Sequence, residues 1–170
     1  MSTSHTLAGD EPVLLAADGG HHLHFLNNLA TIRVAAEGRR SMSVVEFAAP
    51  QGFGPPLHNH LTEDELFIVL DGTIALFSGD DRFEAGEGSF AYLPHGKPHT
   101  FQVLTDTARI VNVTSSHTQV PRFDEMVTAL GETTTDLVIP EQRPIDPGRV
   151  AEVCAAHGIE IVGPPPGPLS

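Results

Sequence analysis

Between Gly52 and His99, three histidines and a glutamate recur at short offsets among regularly spaced glycines and prolines. His58 and His60 flank Asn59, and Glu65 opens the apolar run 66–70 that ends in Asp71-Gly72. A second cluster leads from Gly88 through Pro94 and Gly96 to His99. Side chains alternate along extended chain, so His58 and His60 point the same way and form a pair able to chelate a cation. With 66–70 as the return strand of a hairpin, Glu65 faces that pair and offers a third ligand. His99 opens the strand-like run 100–104 and completes the set from the far side of a closed sheet. Three imidazole nitrogens and one carboxylate oxygen form a donor set of intermediate softness. It suits nickel, iron, cobalt or manganese, accepts zinc or copper, and is a poor calcium site.

The spacing resembles the two motifs of the cupin superfamily. The first is a glycine, five residues, His-x-His, three or four residues, Glu, six residues and Gly, matched by Gly52, His58, His60, Glu65 and Gly72. The second is a glycine, five residues, Pro-x-Gly, two residues, His, three residues and Asn, matched by Gly88, Pro94, Gly96 and His99, with Val103 standing where the family often has Asn. The resemblance implies an all-β fold, a small antiparallel barrel or jelly roll, with one divalent metal inside bound by His58, His60, Glu65 and His99. Glu63 is a competing carboxylate, but it lacks the six-residue interval to Gly72 and is expected at the surface. Gly72, Gly88, Pro94 and Gly96 are expected in turns, with His95 and Lys97 facing water.

A chain of 170 residues suits a single domain with its own core. The expected division is a barrel over 11–116 and a helical tail with a short strand over 117–170. With 22 acidic residues against 9 basic ones, the formal charge of -13 disfavours nucleic acid and anionic lipid as partners. No apolar run approaches the roughly 18 residues of a membrane span. The N-terminus shows no basic region followed by an apolar segment, so cytoplasmic localisation is the default expectation. Cys154 is the only cysteine, which rules out an internal disulfide and a thiolate cluster. Its alanine-rich surroundings suggest a packed thiol.

Residues 1–10 read as an arm, and 11–17 as a first strand ended by Asp18-Gly19-Gly20. The cluster His21-His22-Leu23-His24 has no partner carboxylate or spaced glycine, so these histidines are assigned to solvent or to an interface, with His22 and His24 candidates for a homodimer seam. Strands are expected at 29–34, 42–47, 66–70, 73–77, 82–85, 89–93, 100–104 and 108–113, separated by turns that include 37–41 and 78–81. Beyond 116, apolar residues at 123, 126, 127 and 130 predict a helix stopped by Gly131. Asp146 as cap, Pro147 at the first position and Gly158 as stop predict a second helix, followed by a short strand at 159–162.

Over most of its length the chain is similar to bacterial single-barrel cupins related to quercetin 2,3-dioxygenase. The likeness covers 25–32, the proline-rich 52–60 and the C-terminal segment 158–165. It implies a metal-dependent dioxygenase that opens a flavonol-like or other enolisable aromatic ring with O2, with Glu65 as catalytic base. If His99 faces inward, so do Phe101 and Val103, and Phe67 and Val69 lie on the side of Glu65. Such walls suit a flat apolar ligand offering oxygens to the metal. Phe67, Phe101 and Tyr92 are the expected substrate contacts, Tyr92 as a buried wall. The alternative is a redox-neutral isomerase, cyclase or dehydratase using the same metal and Glu65 as proton shuttle. The third is a non-catalytic small-molecule-binding module, disfavoured by four inward polar side chains that are costly to bury unpaired.

Overall fold

Alternation of inward and outward side chains, clearest on β-strands 42–50, 64–71 and 107–115, organises the chain into two antiparallel sheets, seen in a computed structural model that describes residues 12–37 and 41–168. The expected arm at 1–10 and the centre of the expected turn at 37–41 lie outside the described residues. The elements are β1 (His21–Phe25), β2 (Asn28–Val34), β3 (Met42–Pro50), β4 (His58–His60), β5 (Asp64–Asp71), β6 (Ile74–Ser78) and β7 (Asp81–Ala85). They continue with β8 (Phe90–Leu93), β9 (His99–Val103), β10 (Thr107–Ser115), α1 (Phe123–Leu130), β11 (Glu132–Thr133), α2 (Pro147–Ala156) and β12 (Ile159–Ile161). One sheet runs β11-β1-β2-β3-β10-β5-β8 and the other β12-β4-β9-β6-β7.

On β3 the inward positions are Ser43, Val45, Phe47 and Ala49, and on β10 they are Ala108, Ile110, Asn112 and Thr114. β9 is buried along its whole length, because chain covers its outer face as well. Thr100 donates to the Pro55 carbonyl at 2.6 Å, and Gln102 donates to the Gly167 carbonyl at 2.7 Å. The glycine- and proline-rich approach to β4 is thus a strap laid over β9. Gly54 in that strap leaves no space for a side chain, since a Cβ would collide with the Phe101 carbonyl. Gly72 turns β5 into β6 at φ 77°, where a Cβ would also meet the Thr107 carbonyl.

Apolar side chains gather in two cores. One joins Leu23, Phe25, Val45 and Phe47 to Phe123 and Met126 of α1 and to Val150 and Cys154 of α2. The other fills the closed end with Phe67, Val69, Ile74, Leu76, Phe101 and Ile110. Both helices follow the expected signals: Gly131 N–H donates to the Val127 carbonyl, and Asp146 accepts from the N–H groups of Gly148 and Arg149. Burial pushes the Cys154 thiol up to about 11, as befits a packed group.

Two expectations are corrected. The segment 12–16 forms no strand, and Leu14 is 95% exposed; the histidine cluster 21–25 is the strand instead, because Leu23 and Phe25 alternate inward and β2 supplies a partner. His21 accordingly bonds Thr133, and His22 bonds Thr31 and the Asp18 carbonyl. Second, β4 and β5 are not a hairpin. They belong to opposite sheets, β5 pairing with β10 and β8.

Outside the seven-stranded sheet, Glu46 of β3 receives two guanidinium forks. Arg33 bonds its Oε2 at 3.2 and 2.8 Å, and Arg109 bonds its Oε1 at 3.1 and 2.6 Å. Burial raises the Glu46 pKa, but the two arginines outweigh it and hold the carboxyl below its ordinary value of 4.5. Its stabilisation is therefore fully present above that value and lost as pH falls through the depressed folded value. Glu46→Gln should destabilise the protein by about 1 kcal/mol at neutral pH, a partly exposed network being worth little more. The difference should vanish in acid, as read by urea denaturation at several pH values.

Candidate metal centre

His58 and His60 occupy the two inward positions of β4. His99 begins β9 and faces His58 directly in register, their ring centroids 4.5 Å apart. The pair and the third histidine therefore lie side by side on one sheet, and Glu65 reaches them from β5 across the barrel. This reverses the expected placement, in which Glu65 neighboured the pair and His99 came from the far side. Period-two alternation specifies which face a side chain takes, but not which sheet its strand joins.

All four side chains are buried, and one ligand atom of each can be chosen so that the four lie within 4.8 Å of one another. The tautomers suit coordination. His58 Nδ1 donates to the Pro56 carbonyl at 2.8 Å and His99 Nδ1 to the Lys97 carbonyl at 2.9 Å. Each backbone bond turns Nε2 toward the centre, the way outer partners usually orient metal-bound imidazoles. His60 has no hydrogen-bond partner at either ring nitrogen. A buried imidazole left so is costly, and a cation on Nε2 removes part of that cost. The donor set fits a divalent transition metal.

Glu65 holds the cluster together. Its Oε2 accepts from His99 Nε2 at 2.8 Å, its Oε1 accepts from Asn112 Nδ2 at 2.5 Å, and His60 Nε2 stands 3.5 Å from Oε1. Burial raises the Glu65 pKa, but the interaction with the neighbouring His60 imidazole and the His99 bond prevail and hold the carboxyl well below the usual carboxylate range. Burial lowers His58 to about 4, helped by His99 and His60, and also lowers His60. For His99 burial acts downward as well, yet the Glu65 bond wins and its pKa rises. Burial thus favours the neutral form of His58 and His60, while His99 Nε2 shares a hydrogen with the Glu65 carboxylate. That proton must leave before His99 Nε2 can bind a cation.

The site opens on a cavity of about 680 Å3, mouth included, into which His58 and Glu65 project. Phe67 and Phe101 line it, as expected, together with Phe47, Phe53, Phe123 and Met126. Tyr92 does not. It is 63% exposed and donates to Asp64 at 2.9 Å on the outer face, because β8 turns Ala91 and Leu93 inward. His95, expected toward water, is exposed and bonds the same Asp64. Glu63, expected at the surface, is only 3% exposed. It accepts from the Arg122 N–H at 2.7 Å and so caps α1, whose own N-cap side chain makes no such bond. Burial raises its pKa to about 7. Asn112 was missed altogether. Its signal was a polar residue at an inward position of an otherwise apolar alternation.

Residues 44–114, which carry all four cluster side chains, match the family described as Cupin domain. The barrel is a cupin. Quercetin 2,3-dioxygenase of Bacillus subtilis (strain 168) is 30% identical to this cupin over 115 residues, 65% of the chain. The chain spans about a third of that relative, 34% of its length. An uncharacterized protein of Streptomyces coelicolor is 29% identical over 100 residues, 59% of this chain and 84% of its own. Among solved structures, KdgF from Halomonas sp. superposes with a TM-score of 0.56 at 13% identity, over 63% of this chain and 96% of that one, a likeness of fold alone. Among the described residues no helix is long and apolar enough to cross a membrane.

Because Asn112 fixes one oxygen of Glu65, Asn112→Leu should weaken cation binding by about 10–100-fold, the usual cost of losing such a partner. Competition with a chromophoric chelator measures it, with the metal-free melting temperature as control for folding. Unchanged affinity would show that Asn112 does not position the carboxylate.

Proposed function

We propose that this cupin is a metal-dependent dioxygenase acting on a flavonol-like or similarly enolisable aromatic compound. The observation that carries the reading is an ionised, fully buried carboxylate beside three imidazoles, at the edge of a cavity walled by phenylalanines. The similarity to a quercetin 2,3-dioxygenase supports it.

His58, His60, Glu65 and His99 would hold the metal. Nickel, iron, cobalt or manganese bound there supplies Lewis acidity, making a bound hydroxyl more acidic and orienting substrate and O2. The protein's own groups do the rest. Glu65 accepts the hydroxyl proton, leaving the ring electron-rich at the carbons where oxygen adds. Asn112 keeps the Glu65 carboxylate from rotating away by donating to its Oε1. Phe67 and Phe101, whose rings meet edge to face at 5.5 Å, present an apolar aromatic wall. Phe123 lies 5.9 Å from the His60 ring and shields that side from water. Water exclusion protects an electron-rich ring from reprotonation.

Oxygen uptake tests the reading, with protein loaded separately with each of the four metals and given a panel of flavonols. The expected result is uptake that one metal supports and His99→Ala abolishes. Glu65→Gln should retain much of the metal yet lose most turnover, on the order of the 100-fold or more that general-base catalysis contributes. Absence of uptake with every metal, despite confirmed loading, would move the assignment to a redox-neutral isomerase, cyclase or dehydratase or to a different aromatic substrate. Full activity of Glu65→Gln would remove Glu65 as the base.

A further inference from the structure

Among the described residues, two side chains keep both of their polar atoms buried and without a hydrogen-bond partner: His60 and Asn28. A cation at His60 Nε2 accounts for part of the first. Asn28 is 0% exposed, and it lines the same cavity as His58 and Glu65. It opens β2 directly after the turn residues Leu26 and Asn27, both at positive φ (45° and 68°), and pairs with Phe25 across the hairpin. That turn sets the carboxamide on the inner face, among Phe25, Phe47 and Ile110, rather than in solvent.

An unpaired amide donor or acceptor costs about 1–3 kcal/mol when buried, and a leucine of similar volume would avoid the cost. The cost is offset when a ligand supplies both partners. The register shows which part of a ligand Asn28 meets. Glu65, Thr114 and Ser43 form one inward row across the sheet, Phe67, Asn112, Val45 and Ile32 the next, and Val69, Ile110, Phe47 and Ala30 the third. Asn28 lies two residues before Ala30, a further step on. Six residues of strand separate its row from that of Glu65, roughly 20 Å. The two groups therefore stand toward opposite ends of the cavity, a separation that suits an elongated ligand rather than a compact one.

We propose that the Asn28 carboxamide binds substrate, pairing with a hydroxyl or carbonyl on the ring of an uncharged aromatic ligand remote from its chelating oxygens. The inference rests on the aromatic-substrate reading above and sharpens it. Among the described residues no lysine or arginine lines the cavity, so a carboxylate or phosphate at the Asn28 end would find no cationic partner there. A sugar carries more hydroxyls than the aromatic walls can satisfy. One neutral donor-acceptor pair matches one polar substituent.

The test uses nickel-loaded protein without oxygen, so that binding is read apart from turnover. The probes are a flavonol bearing a hydroxyl on the ring remote from its chelating oxygens and the same flavonol lacking it, with Kd taken from ligand fluorescence. Wild type should prefer the hydroxylated probe by about 10-fold, the equivalent of one hydrogen bond. Asn28→Leu should bind both alike, and its metal-free melting temperature should be unchanged or raised, since no protein partner is lost. Persistence of the preference in Asn28→Leu would overturn the proposal, as would no preference in wild type. A melting temperature several degrees lower would place the amide in a bond within the fold and overturn it too. Failure of both probes to bind overturns the ligand class. Preference lost in Asn28→Leu while O2 uptake is absent would sustain the assignment of Asn28 and sink the dioxygenase reading alone.

Discussion

An ionised carboxylate at the centre of a β-barrel is the constraint around which the rest of this structure is arranged. Glu65 belongs to one sheet and its partner His99 to the other, so the 2.8 Å bond between them joins the two layers. A buried charge costs several kcal/mol unless it is paired and hydrogen-bonded. The inward polar groups nearby act on that cost: Asn112 beside it in the same sheet, His60 and His99 opposite. Such an arrangement is a poor way to stabilise a fold, since apolar residues of the same size would do as well or better. It is a good way to prepare a cation site, because the carboxylate and the imidazoles are fixed before the cation arrives.

The C-terminal tail belongs to the same arrangement. β4 is three residues long and pairs with β9 at a single register position. β12 holds its other edge, Ile159 opposite His60 and Ile161 opposite His58. α1 and α2 pack Phe123, Met126, Val150 and Cys154 against the open side of the barrel and join the core. Glu63, two residues before Glu65, fastens α1 by accepting the Arg122 N–H. The tail therefore clamps the histidine strand and walls the cavity, and a barrel ending at Ser115 would leave both β4 and the apolar cleft uncovered.

Local pattern made much of this legible in advance. Period-two alternation put His58 and His60 on one face, and turn residues marked most strand ends within a residue or two, although β3 runs three residues past its expected end and the strand expected at 11–17 is absent over 12–16. Cap signals at Asp146, Pro147 and Gly131 delimited the helices because those interactions are local in sequence. What alternation cannot supply is the partner of a strand. The hairpin expected between β4 and β5, the far-side placement of His99 and the inward Tyr92 all failed for that reason. Glu63 looked like a surface residue because its partner lies 59 residues away. Asn28 and Asn112 gave only a faint signal, since a polar residue in a strand is read as outward unless the register of its neighbours is known.

The strength of Glu65 as a base bears on the substrate. Without a cation, the His99 bond and the neighbouring imidazoles stabilise its ionised form, and a coordinated cation would do the same, leaving a carboxylate with little appetite for a proton. The other titratable side chains lining the cavity are no better placed: His58 is pushed down to about 4, and the Cys154 thiol, up at about 11, stays protonated. Proton transfer to such a site is favourable only from a hydroxyl that is already acidic and is made more so by coordination. An enol conjugated to a carbonyl and an aromatic ring meets that requirement; an aliphatic sugar hydroxyl, several units weaker, falls short. On the proposed reading, the electrostatics at one end of the cavity and the neutral amide at the other favour the same ligand, an acidic enolic head on a flat, uncharged, sparsely substituted body.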